Sequence, residues 1–235
     1  MESKQEEPSI EVKVLKLPTR VWWYITLGLQ SFILVLMLSS FGTESWVKQG
    51  EGDYEWKGGL LRVTQEPKGY LWEDDHYSDL ARDYCENDNS QLNKALCDTF
   101  SDLSGAGGAF IFFEIVSYLF VIFWMIRVGY CLLEQKIFAE WMGYLWGGVA
   151  LASHVVAQMS WAGGASGAFS VDCKDLNKGE ARTDLCNTSG PALVLTNTLL
   201  LVVTLALFVF IYLKRHGNPD EEHSQVKNPL SPKSF

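Results

Sequence analysis

Four stretches of this chain carry almost no charge: Val21–Phe41, Ala109–Leu133, Trp141–Trp161 and Pro191–Leu213. Each holds 21 to 25 residues, and about 20 apolar residues cross a bilayer as a helix. This feature constrains the fold more than any average does. The mean hydropathy of +0.03 and the formal charge of −9 would suit a mildly acidic soluble domain, but a chain that gives four helices to lipid cannot also build a soluble core of its full length. The expected class is an all-α membrane fold, a four-helix bundle with a small stapled α+β domain between helices one and two.

The segmentation follows directly. Residues 1–20 form a tail, 21–41 the first span, 42–108 a long outer loop and 109–133 the second span. Residues 134–140 form an inner loop, 141–161 the third span, 162–190 a second outer loop, 191–213 the fourth span and 214–235 a tail. The mixed-charge leader and the long apolar run make the first segment an anchor, although Ser40–Gly42 is a passable cleavage site. Lys13, Lys16 and Arg20, then Arg127 and Lys136, then Lys214 and Arg215 all fall on one side. The positive-inside rule makes that side, with both termini, cytoplasmic. An integral plasma-membrane protein, or one of another compartment with an oxidising lumen, is expected. Its partners are the lipid bilayer and another integral membrane protein or itself. No Lys/Arg run exists to hold nucleic acid.

The cysteines agree with this sidedness. Cys85 and Cys97 lie in the first outer loop, Cys173 and Cys186 in the second, all on the predicted oxidising face. Three pairings are possible. Short spacing favours Cys85–Cys97 and Cys173–Cys186. Cys131 is left over near the inner end of the second span, as a buried thiol or a palmitoylation site.

Within the first loop, Asp53–Trp72 alternates in the manner of strands, with a bulge or bend at Gly58-Gly59 and a turn at Pro67–Gly69. From Tyr77 the apolar period becomes helical, and again from Leu92, with Ser90 as a cap. The loop also concentrates charge, with 14 acids against 6 bases. Glu73, Asp74, Asp75 and Asp79 cluster, but lack the frame of a calcium loop, so a solvated acidic surface is expected and no metal. Asn187-Thr188-Ser189 is a glycosylation sequon close to the fourth span.

The polar residues inside the spans are the candidate chemistry. His154 and Gln158 share one helical face, Glu114 is a possible partner, and an interhelical hydrogen bond is the favoured role. Arg127 is expected to snorkel to the inner interface. Gly143 and Gly147, and Gly163 and Gly167, have the small-xxx-small spacing that lets helices approach. Gly164-Ala165-Ser166-Gly167 resembles the serine motif of rhomboid intramembrane proteases. That chemistry needs a base beside the serine; His216 and His223 lie on the opposite face, and the fourth span has no histidine. No enzyme, catalytic residue or cofactor is therefore assigned.

Trp46 after the first span, Gly59-Leu60-Leu61-Arg62, the Cys85/Cys97 pair and the four-span plan resemble the claudin superfamily, which includes peripheral myelin protein relatives and stargazin-type channel regulatory subunits. In that family a Trp, a Gly-Leu-Trp and two disulfide-bonded cysteines mark the first loop, which folds as a small sheet on a left-handed four-helix bundle. Here Leu61 replaces the second Trp, and Cys85 follows it only 24 positions later. The resemblance implies a non-enzymatic accessory or scaffold subunit of a channel, receptor or transporter. The alternative it implies is a cell–cell adhesion or paracellular barrier protein.

Overall fold

The computed structural model describes residues 13–14, 17–49, 55–67, 69–72, 74–87, 90–133, 141–165 and 186–216. Strands β1 (Lys13–Val14) and β2 (Leu17–Pro18) form a two-residue antiparallel pair, so part of the expected N-terminal tail is folded back. Pro18 then leads directly into helix α1, Thr19–Gly42. Strands β3 (Val47–Gln49), β4 (Trp56–Gly58) and β5 (Val63–Gln65) follow. Next come α2 (Tyr77–Glu86), α3 (Gln91–Leu132), α4 (Trp141–Gly164), β6 (Cys186–Asn187) and α5 (Ser189–His216).

Three of these helices, α1, α3 and α5, are long and apolar enough to cross a membrane; the chain is an integral membrane protein. They pack with α4 in a ring in which neighbours are α1–α3, α3–α4, α4–α5 and α5–α1. Each helix buries residues at alternating steps of three and four. In α1 these are Trp23, Thr26, Gln30, Ile33, Met37 and Ser40; in α4, Gly143, Gly147, Ala150, His154, Ala157 and Trp161. In α5 they are Val194, Asn197, Leu201, Thr204, Phe208 and Ile211. A strict seven-residue repeat keeps one seam facing its neighbours, the packing mode of coiled coils. The opposite faces are apolar and exposed, as with Ile115, Leu119, Phe123 and Ile126 on α3 or Leu195, Leu199 and Val202 on α5. Such a surface suits lipid tails.

One expectation needs correction. The helix beginning at Ser90 and the span beginning at Ala109 are not separate. They form a single 42-residue helix, about 63 Å long at 1.5 Å per residue. Gly105, Gly107 and Gly108 suggest a break, since each glycine costs a helix about 1 kcal/mol. Packing outweighs that cost. The buried seam of α3 runs unbroken through Leu96, Phe100, Leu103, Gly107, Phe110, Glu114, Ser117, Val121, Trp124 and Val128. Gly107 lies so close to the Leu60 carbonyl that a Cβ there would collide with it. Ser90 caps the helix as expected, its Oγ accepting from Asn93 N at 3.1 Å.

The sheet has the order β5-β4-β3-β6, antiparallel throughout. The predicted irregularity at Gly58 is a register shift between Lys57 and Gly58. The predicted turn is closed by Tyr70 N donating to Pro67 O at 3.2 Å, with Gly69 at φ +91°. The second outer loop does not stand apart: through β6 it supplies an edge strand, Val47 facing Asn187 and Lys48 facing Cys186.

Candidate functional site

Two regions bring the singled-out residues together: the junction of the small sheet domain and the bundle, and the polar part of the helical seam. Trp46 is the centre of the first. It is 1% exposed and packs edge-on against Phe110 and Trp161, with ring centroids 4.8 and 5.1 Å away. Its indole donates to Ser40 O at 3.1 Å. Its backbone N donates to Gly58 O at 2.7 Å, and its carbonyl accepts from Thr188 N. One residue thus ties all four long helices to the sheet, since Gly190 of α5 lies where a Cβ would come within 2.6 Å of the indole.

Gly59, Leu60 and Leu61 form the tight segment over α3. Gly59 N donates to Arg62 O at 2.9 Å, Leu60 is buried and Leu61 is 37% exposed. The buried Tyr77 hydroxyl donates to Gly59 O at 3.0 Å, and burial pushes its phenol well above the usual range. Tyr84, half-buried, is also raised by burial, while its hydrogen bond from Trp72 opposes the shift.

Cys85 and Cys97 are disulfide-bonded and fasten the last turn of α2 to α3. The proposed Cys173–Cys186 bond and Gly167 fall outside the described residues, as do Ser166, Glu73 and the Asn187 side chain. The remaining acidic cluster is exposed and partly paired, Asp74 with Arg62 at 3.5 Å and Asp79 with Arg82 at 3.2 Å. Asp75 is exposed as well. Exposed pairs of this kind contribute little, about 0–1 kcal/mol. Among the described residues no group of three or more His, Cys, Asp or Glu is placed to hold a metal ion.

Inside the bundle, His154 Nδ1 lies 2.6 Å from Glu114 Oε2, with both side chains fully buried. His154 Nε2 contacts Val194 O at 3.1 Å. A carbonyl only accepts, so that contact assigns a proton to Nε2. The short contact from Nδ1 to Oε2 makes each of these two buried side chains the polar partner of the other. Gln158 extends the network, its amide donating to Val194 O at 3.1 Å and to the Thr198 hydroxyl. A carboxylate-oriented imidazole is part of a general-base device, but here the ring nitrogen that would take a substrate proton is occupied by Val194 O. The arrangement ties α3, α4 and α5 together.

Two expectations within the spans are corrected. Arg127 does not reach the interface. It is 5% exposed, and its Nη1 donates to Cys131 Sγ at 2.9 Å. It lies beside Val128 on the inward side of α3. Among the described residues a Cβ at Gly163 would meet nothing within 4 Å, and its neighbour Gly164 lies against Ala106 and Asp102 O instead. Gly143 and Gly147 do pack within the chain, against Phe208 and against Leu205 and Trp124. Tyr77, Trp161 and Gly190 were missed; only their aromatic or small character marked them in the sequence.

No protein-family model matches this chain, and no curated protein matches it significantly.

Proposed function

We propose that the chain is a four-span, claudin-like, non-enzymatic membrane protein that acts as an accessory or scaffold subunit of another integral membrane protein. Helix α4 is the fourth span. It has 24 residues and no Asp, Glu, Lys or Arg. Its hydropathy is lowered by glycines, His154 and Gln158, and it is packed between α3 and α5, both apolar enough to cross a membrane. Both termini are cytoplasmic, from the placement of basic residues beside the spans.

The observation that carries the reading is a shared core. Trp46, Trp56, Val63, Trp72, Tyr77 and Phe100 of the ectodomain belong to the same buried cluster as Phe110, Ala157, Trp161 and Val194 of the bundle. An ectodomain on a tether would have a core of its own. One that shares its core with the membrane helices presents a fixed surface to a neighbour in the same membrane, as an accessory subunit requires. The test is extraction into lipid nanodiscs after mild crosslinking, followed by mass spectrometry. A stoichiometric integral membrane partner is expected. A monodisperse monomer without one overturns the reading, and self-association between apposed membranes favours adhesion instead.

A further inference from the structure

A cleft of about 300 Å³ opens where the C-terminal end of α1 and the middle of α3 meet the segment from Gly59 to Thr64. Its lining is mixed: the apolar side chains of Phe41, in the last turn of α1, Ile111 of α3 and Leu61 stand beside the polar Glu44, Arg62 and His76.

We propose that this cleft binds a zwitterionic phospholipid from the leaflet on the ectodomain side. The phosphate lies against Arg62 and His76, the headgroup ammonium against Glu44, and the acyl chains start along Phe41, Leu61 and Ile111. Three observations support this occupant. The volume is at the lower end of small-molecule sites, about 300–1,000 Å³, which fits a headgroup and the ester region while the chains continue in the bilayer. The polar rim carries the opposite charges of Glu44 and Arg62 with the imidazole of His76, matching a zwitterion better than an anion. The surrounding loop, with 14 acids against 6 bases, sets a negative local potential that disfavours anionic lipid. Arg62 is free to turn to a phosphate, because its pairing with Asp74 at 3.5 Å is between two exposed side chains and is readily exchanged. The rim itself is fixed: the Thr64 hydroxyl donates to Glu44 O at 2.8 Å. The inference rests on α1 and α3 crossing a membrane and not on the accessory role.

The experiment is native mass spectrometry of the full chain released from nanodiscs made of equal phosphatidylcholine and phosphatidylglycerol. One retained phosphatidylcholine per chain is expected. Leu61→Trp, which fills the cleft, and Arg62→Glu, which repels the phosphate, each lower retention at least tenfold. Glu44→Lys changes only an exposed side chain and shifts retention toward phosphatidylglycerol. Circular dichroism and the intact Cys85–Cys97 bond check folding. Wild-type protein that retains no lipid, or prefers phosphatidylglycerol, overturns the proposal. So does retention that ignores the Leu61 and Arg62 variants, a headgroup preference that ignores Glu44→Lys, or a co-purifying polypeptide crosslinked into the cleft in place of lipid.

Discussion

Glu114 and His154 offer the sharpest test of how the bundle is held together. Their 2.6 Å contact is fully buried, and the other carboxyl oxygen, Oε1, has no partner. Replacing His154 by Ala strands the whole carboxyl group at membrane depth, and removing one partner of a buried ionic pair costs about 3–5 kcal/mol. Glu114→Ala strands only Nδ1, because Nε2 keeps its bond to Val194 O at 3.1 Å; one unsatisfied nitrogen costs about 1–3 kcal/mol. In the double variant neither orphan remains, so the second change adds almost nothing to the first. Polar pairs between membrane helices typically couple by about 0.6 kcal/mol, with a maximum near 1.7. The short, charge-assisted contact places this pair at or above that maximum, about 2 kcal/mol or roughly thirtyfold in the folding equilibrium. Glu114→Gln, whose amide offers an N–H donor toward Nδ1, costs less than about 1 kcal/mol. Reversible unfolding in mixed micelles, followed by near-ultraviolet circular dichroism, supplies the cycle. Additive single variants with coupling below about 0.6 kcal/mol, or a Gln variant as damaging as the Ala variant, would refute the reasoning.

The remaining predictions concern the small sheet domain and the seam. Trp46→Ala removes the ring shared by four helices and the sheet, and lowers stability by about 3–5 kcal/mol in the same unfolding assay. Losing the Cys85–Cys97 bond, which spans 12 residues of sequence, costs about 3 kcal/mol on a chain-entropy account, seen as a lower melting temperature under reductant. The raised Tyr77 phenol stays protonated in the folded protein where it ionises in the unfolded chain. Stability is therefore undiminished below about pH 10 and falls above it by up to about 1.4 kcal/mol per pH unit. Tyr77→Phe flattens that alkaline decline, read from urea midpoints across pH, at the expense of about 1 kcal/mol for the lost bond to Gly59 O. Gly147→Val overpacks against Leu205 and Trp124 and destabilises by about 1–3 kcal/mol. Gly163→Ala, facing open space, is neutral or slightly stabilising, and thermal melts separate the two.

The sequence located the helices Thr19–Gly42 and Ser189–His216 to within a few residues, and with them the Cys85–Cys97 bond, the Ser90 cap and the bulge at Gly58. Each depends on local composition or on a short spacing. It did not reveal which face of each helix turns inward. In a soluble helix the buried side is the apolar one, but here Phe112, Ile115 and Leu119 face outward while Gln30, Glu114, Ser117, His154 and Asn197 face the seam. Both faces are apolar enough to cancel the signal, and the polar residues look like exceptions when read alone. The heptad is visible only once burial is known. Strand β6 was equally hidden, since two residues of polar loop gain strand character only by pairing with Val47 and Lys48. For the same reason the sequence linked Glu114 with His154, an ionisable pair, but could not place Arg127, whose direction depends on the seam.

The unbroken α3 makes the protein a lever. About 27 Å of that helix, Gln91–Gly108, projects beyond the apolar part, with α2 bolted to it by the disulfide. A tilt of about 10° in the bilayer would carry its tip sideways by about 5 Å over that length. Lipid thickness, or a neighbour leaning on the α3–α4 face, would thereby be read out as displacement on the other side of the membrane boundary, without any hinge having to open.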